Sequence, residues 1–422
     1  MKRFLYGMAL VCFLQMLSFV IHPVSQKLMA QKSLPLVYNV ENTGAKFVEP
    51  NYPPFAQLPE VKTLPSPFQW SNGKGEVKKF KQWAQRRAEI AHEIQHYEIG
   101  TKPVVSMDSI EARMSGDTLI VDVHENGQVL TLSSVIFYPQ EGKAPYPLMI
   151  GASMIALPNK LFRDRNIAMM TFSERQVNSY SQMRRGGETA GRGSYAFDRL
   201  YPDLKENGAY SEWAWGFSRL LDGLQKLGPE VTRIDMSHIG VTGCSYAGKM
   251  ALFCGAFDER VALIIAQEPG GGGAASWRFS RTLGNVENLD KTDYNWFLES
   301  MKETFGEEKV NRLPHDRHEL VAMCCPRAVL LLGNPDYEWL CDPSMYVSAN
   351  AAIRVWERFG IADRIGYSIV AGHGHCQLPE VQFPEVEAFI DKFLLGKDAN
   401  TTIRIAPEDY PTRYDYRPWI QW

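Results

Sequence analysis

Apolar and polar residues along this chain follow two successive rhythms. From Ser109 to Tyr138 they alternate, in the runs IEARM, TLIVDV and VLTLSSVIFY, so that every second side chain falls on one apolar face. Period two marks a half-buried strand, and Asp117 and Asn126-Gly127 supply hairpin turns between three such strands. Farther on, the pattern becomes short continuous apolar runs: PLMIGA (147–152), IAMMTF (167–172), HIGVTG (238–243), VALIIA (261–266), AVLLLG (328–333) and IGYSIV (365–370). Helical spacing occupies Glu212–Leu227, Tyr246–Phe257, Pro343–Phe359 and Pro384–Leu395 between or after them. Strands buried on both faces and interleaved with helices predict a mostly parallel sheet covered on each side. With the antiparallel strands in front, the predicted class is α/β, an α/β-hydrolase fold built as a three-layer αβα sandwich.

Upstream, Glu76–Tyr97 reads as a helix with Phe80, Trp83, Ala88, Ile90, Ala91 and Ile94 on one broad face. The proline-dotted stretch from Gln31 to Thr63 reads as a wrapped arm. Met1-Lys2-Arg3, an apolar run to about Ile21 and the small residues Ser25 and Ala30 form the pattern of a secretory signal. The run is short for a membrane span and is broken by Gln15. The expected organisation is a signal peptide over 1–30, an arm and helix over 31–108, the hydrolase domain over 109–398 and a C-terminal tail over 399–422. A periplasmic or secreted protein follows, with no membrane attachment once the signal is cleaved.

Composition narrows the function. The 422 residues carry 45 Lys+Arg against 48 Asp+Glu, and 45% are hydrophobic. Such a chain can bury a large core, which excludes disorder as its main state. Without a basic excess, nothing supports a nucleic-acid partner. Cys12 leaves with the signal, and Cys244, Cys254, Cys324, Cys325, Cys341 and Cys376 remain. They are too sparse for a disulfide-built scaffold and show no zinc-finger spacing, so any bridge is local and no structural metal is expected.

Candidate chemistry centres on HIGVTGCSYAGK (238–249). A β run leads into Gly243-Cys244-Ser245 and then into a helix, the setting in which a serine projects its Oγ above the sheet. The turn is tight, so its neighbours must be small, as Gly243, Ala247 and Gly248 are. The competing reading is an ordinary helix-capping serine. A base is offered by VAGHGHCQ (370–377), which follows the last β run. A metal site from His373, His375 and Cys376 would lack further ligands. His375 is preferred because Cys376 adjoins it as Cys244 adjoins Ser245; if the two loops meet, those cysteines can bridge and hold nucleophile and base in register. For the acid, Glu268 ends one strand, and Asp336 or Asp342 follows the next. Position alone leaves that choice open.

These residues resemble the glucuronoyl esterases, carbohydrate esterase family fifteen, in a bacterial form. The likeness runs through LPSPFQW (64–70), QRRAEIAHEIQHYEIGTKP (85–103), GRGSYAFDRLYP (191–202), SEWAWGFSRLLDGL (211–224), IGVTGCSYAGK (239–249), QEPGGGGAASWRFS (267–280), DYEWL (336–340) and GHGHCQLP (372–379). The resemblance implies an open, cofactor-free active site. It implies cleavage of the ester between glucuronate of glucuronoxylan and a lignin alcohol, by a protein expected to be a monomer. It implies Ser245 as nucleophile, His375 as base and Glu268 as acid, with Asp342 the alternative, and a Cys244–Cys376 bridge. Lys249 and Trp339 match positions that contact the sugar acid, and Glu287 and Asp293 fall near two more. There are two departures. Tyr246 stands where many members have an arginine beside the oxyanion, leaving its backbone N–H as donor together with one from the Gly151–Pro158 loop. Ser276 stands where a second bridging cysteine is common. Other exported carbohydrate esterases, and a uronate-binding protein without turnover, are the alternatives.

Overall fold

The alternating runs fold into the three strands their period predicts. In the computed structural model, which describes residues 34–48, 50–180 and 192–422, β1 (Ile110–Ser115), β2 (Thr118–Glu125) and β3 (Gln128–Phe137) form an antiparallel meander. Val121 faces Leu132 and Val123 faces Leu130 across the second pair. These four side chains are buried, while their sequence neighbours point outward. Asn126 (φ 51°) and Gly127 (φ 72°) make the left-handed turn that matches the twist of the strands.

The continuous apolar runs become β4 (Tyr146–Ala152), β5 (Ala168–Phe172), β6 (Ile234–Cys244), β7 (Leu263–Gln267), β8 (Ala328–Gly333) and β9 (Ile365–Ile369). A further strand, β10 (Arg404–Ile405), pairs parallel to β9. The sheet order is β1-β2-β3-β5-β4-β6-β7-β8-β9-β10, antiparallel as far as the β3–β5 contact and parallel beyond it. At two residues, β10 is too short to show a period.

The longer helices are α1 (Trp83–Ile94), α2 (Ala209–Leu227), α3 (Tyr246–Phe257), α4 (Asp342–Arg358) and α5 (Phe383–Phe393). Alternation within β7 assigns them to layers. Ile264 turns toward α3, so close that a Cβ on Gly255 would lie 2.2 Å from it. Leu263 and Ile265 turn the other way, into the cluster that Val386, Phe389 and Ile390 of α5 complete. Helices on both faces of a mostly parallel sheet make the αβα sandwich expected from the pattern.

The first helix is shorter than the expected Glu76–Tyr97. Val77 N–H donates to Phe68 O at 2.7 Å and Glu76 bridges Gln69, which holds residues 76–79 extended. Beyond Ile94 the helix widens into a π turn, Gln95–Ile99. Its buried Arg86 pairs with Glu319 at 3.1 Å, and Arg87 donates to Met323 O at 2.9 Å. The arm is tied down in the same manner: Val61 N–H reaches Asn311 O (2.7 Å) and Leu64 N–H reaches Trp419 O (3.0 Å). Pro35–Trp422 form one compact unit. The signal read over residues 1–30 lies outside the described residues, as does Gly191 at the head of one family motif. Among the described residues no helix is long and apolar enough to cross a membrane.

Candidate active site

The parallel strands deliver their C-terminal ends to one edge, where an α/β sheet presents its ligand site. Each of β4, β6, β7, β8 and β9 is followed there by a non-glycine residue with left-handed backbone: Ser153 (φ 66°), Ser245 (60°), Glu268 (45°), Cys341 (62°) and Cys376 (62°). Such conformations cost on the order of 1–3 kcal/mol each and persist where the surroundings over-determine them, as at functional sites.

Ser245 sits between β6 and α3 with ψ −126° and makes no side-chain capping bond, so the capping reading does not hold. Its N–H donates to Gln267 O at 3.0 Å, which anchors the turn on β7. The small neighbours are obligatory. A Cβ on Gly243 would lie 2.2 Å from Ala247 O, and one on Gly248 would lie 2.4 Å from Gln267 O. Tyr246 is the first residue of α3, so its N–H has no acceptor within the helix.

His375 and Glu268 meet. Nδ1 of the imidazole lies 2.5 Å from Glu268 Oε2, and Cys376 N–H donates to the other oxygen at 3.0 Å. The carboxylate is buried and the imidazole is 36% exposed, so the carboxylate is held while the ring stays reachable. The cysteines flanking serine and histidine are joined, Cys244 to Cys376, with their Cα atoms 5.6 Å apart. That bond leaves no thiolate for a metal at Cys244, His375 and Cys376, the one such group among the described residues. Cys254, Cys324, Cys325 and Cys341 are free and buried, and Ser276 donates its hydroxyl to Asp316 at 2.9 Å.

Of the other candidates, His373 and Asp336 are occupied elsewhere. His373 contacts Asn334 (3.2 Å) and the Val370 carbonyl (3.0 Å), and Asp336 accepts from Gly372 N–H at 2.7 Å. Asp342 opens α4, buried. The backbone N–H of Asn334 faces it, but neither carboxylate oxygen has a hydrogen-bond partner of normal geometry among the described residues. Burial, and then the nearby Glu268 charge, push its pKa up to about 7. Position left Glu268, Asp336 and Asp342 open; of these, Glu268 is the one that contacts His375.

A cleft of about 560 Å³ opens beside Ser245 and His375, lined also by Lys249, Glu287, Trp296 and Trp339. A larger hollow, about 670 Å³ and lined by residues such as Tyr138 and Arg163, contains none of these groups. Lys249 Nζ and Glu287 Oε2 form a buried pair at 2.8 Å, and Thr292 donates to Oε1 of the same carboxylate at 3.0 Å. Burial raises the Glu287 pKa, opposed by Lys249. Gly270 makes room for the pair, since a Cβ there would lie 3.0 Å from Glu287 Oε2 and 3.2 Å from Lys249 Nζ. Trp339 stands 46% exposed at the rim. Asp293 also lines the cleft and accepts from the Tyr180 hydroxyl and from Asn295 N–H.

Among the cleft residues that the sequence did not single out are Tyr337 and Trp296. Tyr337 accepts from His375 N–H at 2.8 Å and sets its ring 5.0 Å from the imidazole. Trp296 lies with its ring 5.3 Å from Lys249 Nζ. Tyr337 sat inside the quoted DYEWL motif, a usable signal; Trp296 had none.

Fold and constellation together are those of an α/β-hydrolase with a Ser–His–Glu arrangement. A model of fungal glucuronyl esterases matches residues 121–360. A 4-O-methyl-glucuronoyl methylesterase of Hypocrea jecorina is 35% identical over 343 residues, 80% of this chain and 70% of that protein. The glucuronoyl esterase catalytic domain solved from Hypocrea jecorina is similar at a TM-score of 0.78 and 33% identity, covering 87% of this chain and 98% of that one. A serine-to-alanine mutant of the Sporotrichum thermophile glucuronoyl esterase was solved with methyl 4-O-methyl-β-D-glucopyranuronate; it is similar at 0.78 and 30% identity, covering 88% and 97%. This chain belongs to the glucuronoyl esterase family.

Proposed function

We propose that this chain hydrolyses the ester joining (4-O-methyl-)glucuronate of glucuronoxylan to lignin alcohols, through an acyl-enzyme on Ser245. His375 takes the Ser245 proton as Oγ adds to the ester carbon. The resulting oxyanion lies on backbone N–H groups, Tyr246 supplying one. The imidazolium then protonates the departing alkoxide, and the alcohol leaves. Water, deprotonated by the same imidazole, attacks the acyl group and releases the uronate and free serine. Glu268 fixes the tautomer of His375 and offsets its transient charge throughout.

Lys249, Glu287, Asp293 and Trp339 present charge, hydroxyl acceptors and a flat apolar face to a pyranose. The observation that carries the reading is the His375–Glu268 bond at the mouth of a cleft that also holds Ser245 and the buried Lys249–Glu287 pair. The ligand bound by the Sporotrichum enzyme supports a uronate as the acyl portion. The first 30 residues are read as an export signal, and the enzyme as a periplasmic or secreted monomer without a cofactor. The test compares benzyl and methyl esters of glucuronate with para-nitrophenyl acetate. Preferential turnover of the uronate esters is expected, and turnover of acetate alone would replace this reading with that of a general carbohydrate esterase.

A further inference from the structure

The side chain of Tyr246 does not point into empty space. The Tyr246 hydroxyl lies 2.8 Å from Ser153 Oγ and 3.3 Å from Glu174 Oε1, and Ser153 Oγ donates to the same carboxylate oxygen at 3.2 Å. Three groups from three segments therefore close a triangle. Tyr246 belongs to the nucleophile turn, Ser153 to the bend leaving β4, and buried Glu174 to the turn after β5.

That bend needs holding. Ser153 is not glycine yet has φ 66°, and the chain folds back so tightly that a Cβ on Gly151 would lie 2.5 Å from the Met154 carbonyl carbon. The N–H groups of Ser153 and Met154 are already spent on the Phe172 and Ala152 carbonyls. Any donor this loop offers an oxyanion must therefore come from beyond Met154, and its place depends on how the bend is set. The Tyr246 ring is fixed from its other side by a near-parallel stack on Trp296 of the cleft, 6.5 Å between centroids at 12°. Burial raises the pKa of the phenol, which keeps it a proton donor.

We propose that Tyr246 is a positioning residue, whose hydroxyl, through Ser153 and Glu174, clamps the β4 loop against the nucleophile turn and so sets the spacing of the two halves of the oxyanion site. The proposal rests on the esterase reading of Ser245, and its test separates the two. Tyr246→Phe, Ser153→Ala and the double variant are assayed on benzyl glucuronate and on para-nitrophenyl acetate, and the rate at which a fluorophosphonate labels Ser245 is followed in parallel. The clamp predicts that kcat falls on the order of ten- to a hundredfold in Tyr246→Phe, the scale for a misplaced reacting group. KM and thermal midpoint stay near wild type, and the double variant is no worse than the worse single one. Labelling slows in proportion, a readout that survives even if wild type leaves the uronate ester untouched, which would sink the substrate reading alone. Wild-type kcat and labelling in Tyr246→Phe, a change confined to KM, or full additivity in the double variant would each overturn the clamp.

Discussion

Glu268 and Asp342 are two buried carboxyl groups at one edge of the sheet, and replacing each with its amide separates their roles. Glu268→Gln removes the anion that accepts from both His375 Nδ1 and Cys376 N–H. An amide nitrogen facing the imidazole favours the wrong tautomer, and kcat should fall by roughly 10³–10⁴ with the fold intact. Asp342→Asn should leave kcat close to wild type, because no contact links that carboxyl to His375. Its signature is in stability. The group titrates at about 7 in the folded chain against an ordinary value of 3.8. Between those values the folded state binds the extra proton, so stability is lost as pH rises from about 4 to about 7 and stays lost above that. The displacement corresponds to at most roughly 4 kcal/mol. Urea denaturation of wild type and Asp342→Asn across that interval reads it directly: the wild-type curve should decline relative to a flatter mutant curve. Parallel curves, or an Asp342→Asn enzyme as inactive as Glu268→Gln, would refute the division of labour.

Three further outcomes follow from the packing around the site. Lys249→Met strips the buried Glu287 of its cation, which should cost about 3–5 kcal/mol in a thermal or urea melt and raise KM for uronate esters far more than for para-nitrophenyl acetate. Replacing Cys244 and Cys376 together with alanine opens a covalent link between residues 132 apart. The chain-entropy relation puts that loss at roughly 5 kcal/mol, to be read from urea midpoints, and kcat should drop as the two loops separate. Gly248→Ala would bring a Cβ to 2.4 Å from Gln267 O. Activity should vanish with about 1–3 kcal/mol of destabilisation, measured by paired melts and initial rates.

Much of the sheet was legible because its signals are local. Alternation gave β1 to β3, continuous apolar runs gave β4 to β9, and small residues around Ser245 marked the turn. Features that depend on partners distant in sequence were not legible. The 76–79 stretch has helical composition but is drawn extended by Phe68 and Gln69 of the arm. Lys249 and Glu287 read as two separate sugar contacts, yet they form one buried ion pair, and nothing in local spacing announces a charge partner 38 residues away. The acid could not be chosen from the sheet pattern, since the loops after β7 and β8 reach the same edge; the family resemblance pointed to Glu268, and the His375 ring contacts that carboxylate. The triangle of Tyr246, Ser153 and Glu174 joins common residue types from three segments, a combination with no sequence signature.

The most direct measurement is hydrolysis of benzyl glucuronate by wild type and by Ser245→Ala in water enriched in heavy oxygen. An acyl-enzyme on Ser245 predicts wild-type turnover with the label in the uronate carboxylate and none in the benzyl alcohol, and no turnover by the mutant. Persistent hydrolysis in Ser245→Ala, or label in the alcohol, would contradict the assignment.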